Sequence, residues 1–169
     1  MAKTNRYYHD HLDRLDQGPS PQPNVNEAEM HAFLAITISM GHCIRDELTH
    51  YWSRADNFHT TFYGNAKPGD RYLHILHFLH FTDNKKVPDM KDKNSDQLWK
   101  IRNLFDILND KFSKFYNPSE HLAVDEVIVK FKGRVIFRQY IPKKHKRFRN
   151  KIYKLCDETG YTYDKAVCV

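Results

Sequence analysis

No stretch of the 169 residues approaches the roughly 18 to 20 consecutive apolar residues of a membrane span, so no membrane partner is expected. The opening segment MAKTNRYYHDHLDRLDQ is polar and lacks the apolar h-region of a secretory signal. Cysteine is scarce. Cys43, Cys156 and Cys168 are widely spaced and form no CxxC pair, which reads as reduced thiols of an intracellular protein. What the chain has in quantity is aromatic residues, 11 Phe, 10 Tyr and 2 Trp, enough for a sizeable core. The length suits one ordinary domain and barely two.

Charge is unevenly spread. Residues 1–119 carry 15 Lys+Arg against 15 Asp+Glu, and residues 120–169 carry 12 against 6, so the formal +6 belongs to the last 50 residues. That region is a candidate polyanion-binding surface, with a solvated basic face as the alternative.

Residues 1–25 contain the breaker cluster GPSPQPN and read as a flexible lead-in. Asn26 with Glu29 resembles a capping box. Met30, Phe33, Leu34, Thr37 and Ile38 follow at helical spacing, with Gly41 as the stop. A weaker helix is expected over Ile44–Trp52, then a turn at FYGN. Pro68 and Asp70 open a third helix, DRYLHILHFLHF, apolar around most of its circumference. Its His74, His77 and His80 share one broad face, but their spacing matches no zinc motif, and packed or surface histidines are the preferred reading.

Ser95 is the expected cap of a long fourth helix. Its apolar positions Leu98, Ile101, Leu104, Phe105, Leu108, Phe112 and Phe115 recur at three and four, and Asn117-Pro118 ends it. The stripe could be a homodimer seam, with packing inside the domain preferred. The period then changes to two. Strands are expected at Ala123–Phe131, Val135–Ile141 and Lys151–Cys156, followed by a DETG turn and a fourth strand from Tyr161. Helices followed by a strand meander predict an α+β fold.

One residue does not suit its surroundings. Leu122, Val124, Val127, Ile128 and Val129 place apolar side chains on both faces of a strand, as in a buried central strand, yet Asp125 and Glu126 interrupt them. A buried carboxylate needs a partner, and the residues alone allow a metal ion or an arginine such as Arg138 on the next strand, with the arginine preferred. Glu126 alternates to the other face. Asp157 opens a turn, where Asp bonds its own backbone, and is assigned a structural role. The run KKHKRFRNK holds six basic residues in nine, Lys143, Lys144, Lys146, Arg147, Arg149 and Lys151, with Phe148 interleaved.

The segments NPSEHLAVDEVIVKFKGR, FRQYIPKKHKRF and KIYKLCDETGY resemble the core of piggyBac-type transposases and piggyBac-derived cellular proteins. HYWS, FHTTFYGNA, RYLHILHFLHFTDN and LWKIRNLFDILNDKFSKFY are similar to the same family, in the same order, so the resemblance runs from about Glu27 to about Tyr163. It implies a nuclear cut-and-paste DNA transposase whose RNase H-like catalytic domain is set in a helical dimerisation and DNA-binding domain. Three aspartates of that family hold two divalent ions, usually Mg2+, for phosphodiester attack. The first lies in the VDE tripeptide, which makes Asp125 the implied catalytic and metal-binding residue. The basic run is then implied to lie near DNA phosphates.

On this reading residues 26–118 are the helical subdomain and residues 119–169 the start of a truncated RNase H-like domain. Arg149-Asn150 stands where similar sequences carry a glycine and an apolar residue. The second and third aspartates and the cysteine-rich tail are not in the chain, so no cleavage or strand transfer is expected from it alone. The alternative is a non-catalytic, domesticated DNA-binding or dimerising protein.

Overall fold

A computed structural model of the chain describes residues 1–12, 22–89, 92, 95–130, 135, 139–140 and 148–167. It divides into two compact units, Met1–Phe81 and Thr82–Val169. The first is helical and the second carries an antiparallel sheet, so the α+β expectation holds.

In the first unit, α2 (Glu27–His42), α3 (Thr61–Ala66) and α4 (Gly69–Phe78) contribute to a tyrosine-rich core, and α1 (Ala2–His9) packs on α4. Asn26 and Glu29 do form a capping box. The Asn26 side chain accepts from the Glu29 N–H at 2.9 Å, and the Asn26 N–H donates to Glu29 Oε2 at 3.4 Å. Phe33 and Ile36 of α2 pack with Val25, Tyr51, Tyr63, Tyr72 and Ile75. A buried tyrosine needs a partner for its hydroxyl, and α2 supplies them. Tyr72 meets Thr37 Oγ1 at 3.1 Å, Tyr63 meets Ser39 Oγ at 3.4 Å, and Tyr51 donates to the Met40 carbonyl at 3.4 Å.

Glu29 also gathers two cations. Arg71 grips both of its oxygens, Nε to Oε1 at 2.8 Å and Nη2 to Oε2 at 2.9 Å, and Lys67 Nζ lies 3.0 Å from Oε1. The same Arg71 Nη2 donates to the Pro23 carbonyl at 2.8 Å, tying the segment before α2 to α4. The Arg71 hydrogen bond, then those of Lys67 and the Asn26 backbone, outweigh the opposing effect of burial and hold the Glu29 carboxyl down at about 2.

Several local expectations are corrected. The flexible lead-in is in part a helix: Thr4 and Tyr8 of α1 are buried, Thr4 Oγ1 donates to the His80 carbonyl at 3.2 Å, and Tyr8 packs on Phe78 at 4.9 Å. The Asn5 side chain bonds the Val25 backbone in both directions. Only residues 13–21 of that lead-in lie outside the described residues. The weak second helix is a 3-10 turn over Leu48–Trp52, and FYGN lies inside α3 instead of forming a turn. The expected third helix, α4, stops at Phe78, so His80 lies beyond it instead of sharing a helix face with His74 and His77. The histidines do pack on rings, His74 edge-on to Tyr8, His77 on Phe78 and His80 stacked on Tyr7 at 4.1 Å.

In the second unit, α5 begins at Arg102 and ends at Phe115, before Pro118 as expected. Ser95 is not its cap. Asp96 accepts the Leu98 N–H at 3.0 Å and is gripped by Arg102 Nε and Nη2 at 2.9 and 2.7 Å, so the chain makes tight turns before the helix starts. The sheet contains β1 (Leu122–Lys130), β2 (Gln139–Tyr140), β3 (Phe148–Asp157) and β4 (Thr162–Val167). It is not a meander: β1 lies beside β3, and β2 and β4 both pair with β3. The ten-residue β3 is long enough to pair β2 at its start and β4 at its end. Most of the expected Val135–Ile141 strand lies outside the described residues.

α5 packs on β4, so a helix of the same unit lies against the sheet. Asn109 Nδ2 donates to the Lys165 carbonyl at 2.8 Å, and the Tyr161 hydroxyl donates to the Phe112 carbonyl at 3.1 Å.

Candidate functional site

Alternation along β1 puts Asp125 on one face of the sheet and Glu126 on the other. The expected burial is not found. Among the described residues no strand pairs the other edge of β1, Val124 is 70% exposed, and Asp125 is exposed as well. Asp125 Oδ1 accepts the Glu126 N–H at 2.8 Å. The desolvation cost that first singles out this carboxylate therefore does not arise here.

Its cross-strand partner is a cation. Lys154 of β3 is the register partner of Asp125, and Lys165 of β4 is the register partner of Lys154. One row across three strands thus reads Asp125, Lys154, Lys165, beside an apolar row of Val127, Ile152 and Val167. Lys165 is partly buried, with Nζ 4.1 Å from the centre of the Phe112 ring. Burial, then the charge of Lys154, lowers its pKa below the usual lysine value. The sequence shows these lysines but not their alignment, because the β3–β4 register shifts between Leu155 and Cys156.

Glu126 is engaged on the opposite face. Lys151 Nζ lies 2.7 Å from its Oε2 and 4.9 Å from the Tyr153 ring centre. The Glu126 hydrogen bond is the main cause that raises the Lys151 pKa. Of the six basic residues implied to meet DNA, Lys151 is thus held in an ion pair, and Arg149 is half-buried opposite Lys130 and Gln139. Lys143, Lys144, Lys146 and Arg147 lie outside the described residues, as does Arg138.

Asp157 is a structural residue. Its Oδ1 accepts from the Thr159 N–H, the Thr159 hydroxyl and the Tyr161 N–H at 3.0, 2.7 and 3.1 Å, and Oδ2 accepts from the Tyr116 hydroxyl. The Tyr116 bond leads the causes that lower its pKa. A turn with Gly160 at φ +83° follows.

A two-metal centre needs several oxygen ligands around one point. Among the described residues no three His, Cys, Asp or Glu side chains gather to hold a metal ion, and the cross-strand partner of Asp125 is Lys154. These residues by themselves do not fit a metal pair.

The chain is similar to known proteins along nearly all of its length. It is 29% identical over 139 residues to the human PiggyBac transposable element-derived protein 3, covering 82% of this chain and 22% of that protein. The human Chimeric ERCC6-PGBD3 protein matches at the same identity, with 12% of its length covered. The chain therefore spans about a fifth or less of these curated relatives. A cryo-EM structure of a piggyBac transposase synaptic complex with hairpin DNA superposes with a TM-score of 0.81 at 24% identity, over 98% of this chain and 34% of that one. The fold is thus that of part of a piggyBac transposase. The family described as Transposase IS4 matches residues 1–169, and the chain belongs to it.

Proposed function

We propose that this chain is part of the core of a piggyBac-like DNA transposase, whose intact form carries out metal-dependent cut-and-paste transposition in the nucleus. Asp125 is the first metal-binding carboxylate of that intact centre and Mg2+ its ion. Residues 119–169 open an RNase H-like domain, and residues 26–118 serve DNA binding and homodimerisation. The observation that carries the reading is an exposed carboxylate on the first strand of an antiparallel sheet, in a chain of a transposase family. DNA enters as partner because the structural neighbour was solved with hairpin DNA. Among the described residues no helix is long and apolar enough to cross a membrane.

One carboxylate does not hold two ions, so the chain by itself is inactive. Incubation with supercoiled DNA and magnesium or manganese is expected to leave the DNA intact. Nicking that disappears in Asp125→Ala would overturn this. DNA binding is expected to be weak, largely independent of base sequence and steeply salt-dependent. Replacing Lys143, Lys144, Lys146 and Arg147 with alanine flattens that dependence, and an unchanged slope would remove the basic run from the interface.

A second reading, a non-catalytic DNA-binding or dimerising protein, is favoured by the lysines in register with Asp125. Magnesium-independent DNA binding of defined stoichiometry supports it.

A further inference from the structure

Antiparallel sheets disfavour lysine directly opposite lysine, since like charges at paired positions repel. Lys154 and Lys165 stand in that relation. Among the described residues little within the sheet offsets the repulsion. Asp125 pairs with Lys154 in register only, with its Oδ1 turned to the Glu126 N–H and no ion pair to Lys154 among the described contacts. Asp164, next to Lys165, alternates to the other face, opposite Leu155.

Both cations are held on rigid elements. Lys154 sits on β3, which is paired along both edges. Lys165 is fixed against α5 through its carbonyl, which accepts from Asn109, and through its ammonium group over Phe112. The burial that lowers its pKa is the desolvation an incoming anion would offset. Paired strands are about 4.8 Å apart, so two ammonium groups on adjacent strands can reach the oxygens of one phosphate. Asp125 lies on the far side of Lys154 from Lys165, roughly two strand spacings from the latter. An anion is therefore favoured on the β3–β4 side of the row.

We infer that Lys154 and Lys165 form a phosphate-binding pair for the sugar-phosphate backbone of DNA, seated beside Asp125. The inference rests on the DNA-binding reading above and adds two residues outside the basic run. It also gives the like-charge pairing a reason: the repulsion weakens the free sheet and is relieved when phosphate binds.

The test measures two properties of the full chain and of Lys154→Met, Lys165→Met and the double variant. One is thermal stability without DNA. The other is anisotropy of a labelled 20-base-pair duplex across a salt series from about 50 to 200 mM. Methionine keeps an unbranched apolar stem while removing the charge. Each single variant is expected to melt at a higher temperature than the parent. Each is also expected to lower the slope of log K against log salt by about 0.9, the effect of one phosphate contact. Lys154→Arg retains the parental slope. If the double variant does not fold, the single variants decide.

A parent that binds DNA with a slope unchanged in the Met variants would sink the pair and leave the DNA-binding reading intact. A parent that binds no duplex at all would overturn that reading, and the pair with it.

Discussion

The two units reach stability in different ways. Among the described residues, nine of the ten buried hydrophobic side chains, from Tyr8 to Phe78, lie in Met1–Phe81, and Leu98 alone lies in Thr82–Val169. Charge runs the other way. Residues 1–81 carry 7 Lys+Arg against 9 Asp+Glu, and residues 82–169 carry 20 against 12. The helical unit has a packed core and a half-buried ion cluster, Glu29 with Lys67 and Arg71. The sheet unit leaves Leu122, Val124, Tyr153 and Phe115 exposed and is held largely by backbone ladders and polar turns. The lesson is that the part of this chain with most of the described buried core and the part with the candidate chemistry are not the same part.

The strongest way to break that contrast is to delete core volume in each unit. Phe33→Ala is expected to cost about 3–5 kcal/mol, because Phe33 is 2% exposed and its ring stacks on Tyr72 at 4.9 Å. Ile128→Ala, at a half-buried position of β1, is expected to cost less than half as much. Each unit holds one tryptophan, Trp52 and Trp99. Denaturant unfolding followed in Trp99→Phe and Trp52→Phe backgrounds therefore reads the units separately. Equal costs would show that the sheet unit is as well packed as the helical one.

A smaller effect comes from acid. Glu29 has a folded-state pKa of about 2 against an ordinary value of 4.5, so its stabilisation is complete above the unfolded value. It fades as pH falls through about 4.5 toward 2. With a side chain 22% exposed, the loss is expected to be on the order of 2 kcal/mol. It should appear in the Trp52 signal and be absent in Glu29→Gln. A Trp52 transition whose pH dependence survives Glu29→Gln would show that the ion cluster is not what acid disrupts.

The smallest effect sharpens the comparison on the sheet side. Gly160 has φ +83°, a left-handed conformation in which a side chain is strained although nothing lies within 4 Å of a Cβ there. Gly160→Ala is expected to cost about 1 kcal/mol, visible as faster amide exchange in β4 with α2 unchanged. Equal acceleration in α2 would mean that the units do not open independently.

Much of the local chemistry was legible from the sequence because it is decided over a few residues. The capping box at Asn26, the stop before Pro118, the Asp157 turn and the period-two β1 all follow from nearest-neighbour sterics and hydrogen bonding. The same rules failed where distant contacts overrode them. A breaker-rich lead-in kept α1 because Tyr8 could bury itself against α4. Ser95 lost the cap role because Asp96 had Arg102 within reach, and FYGN became helical around a buried Tyr63.

The candidate site divides along the same line. Asp125 could be picked out by its residue type within an apolar strand, and the basic run by composition. That Asp125 is exposed, that Glu126 binds Lys151, and that Lys154 faces Lys165 were decided by tertiary structure. Sequence determines which side chains alternate along a strand, but only the pairing of strands, with its bulge between Leu155 and Cys156, determines which charges meet across them.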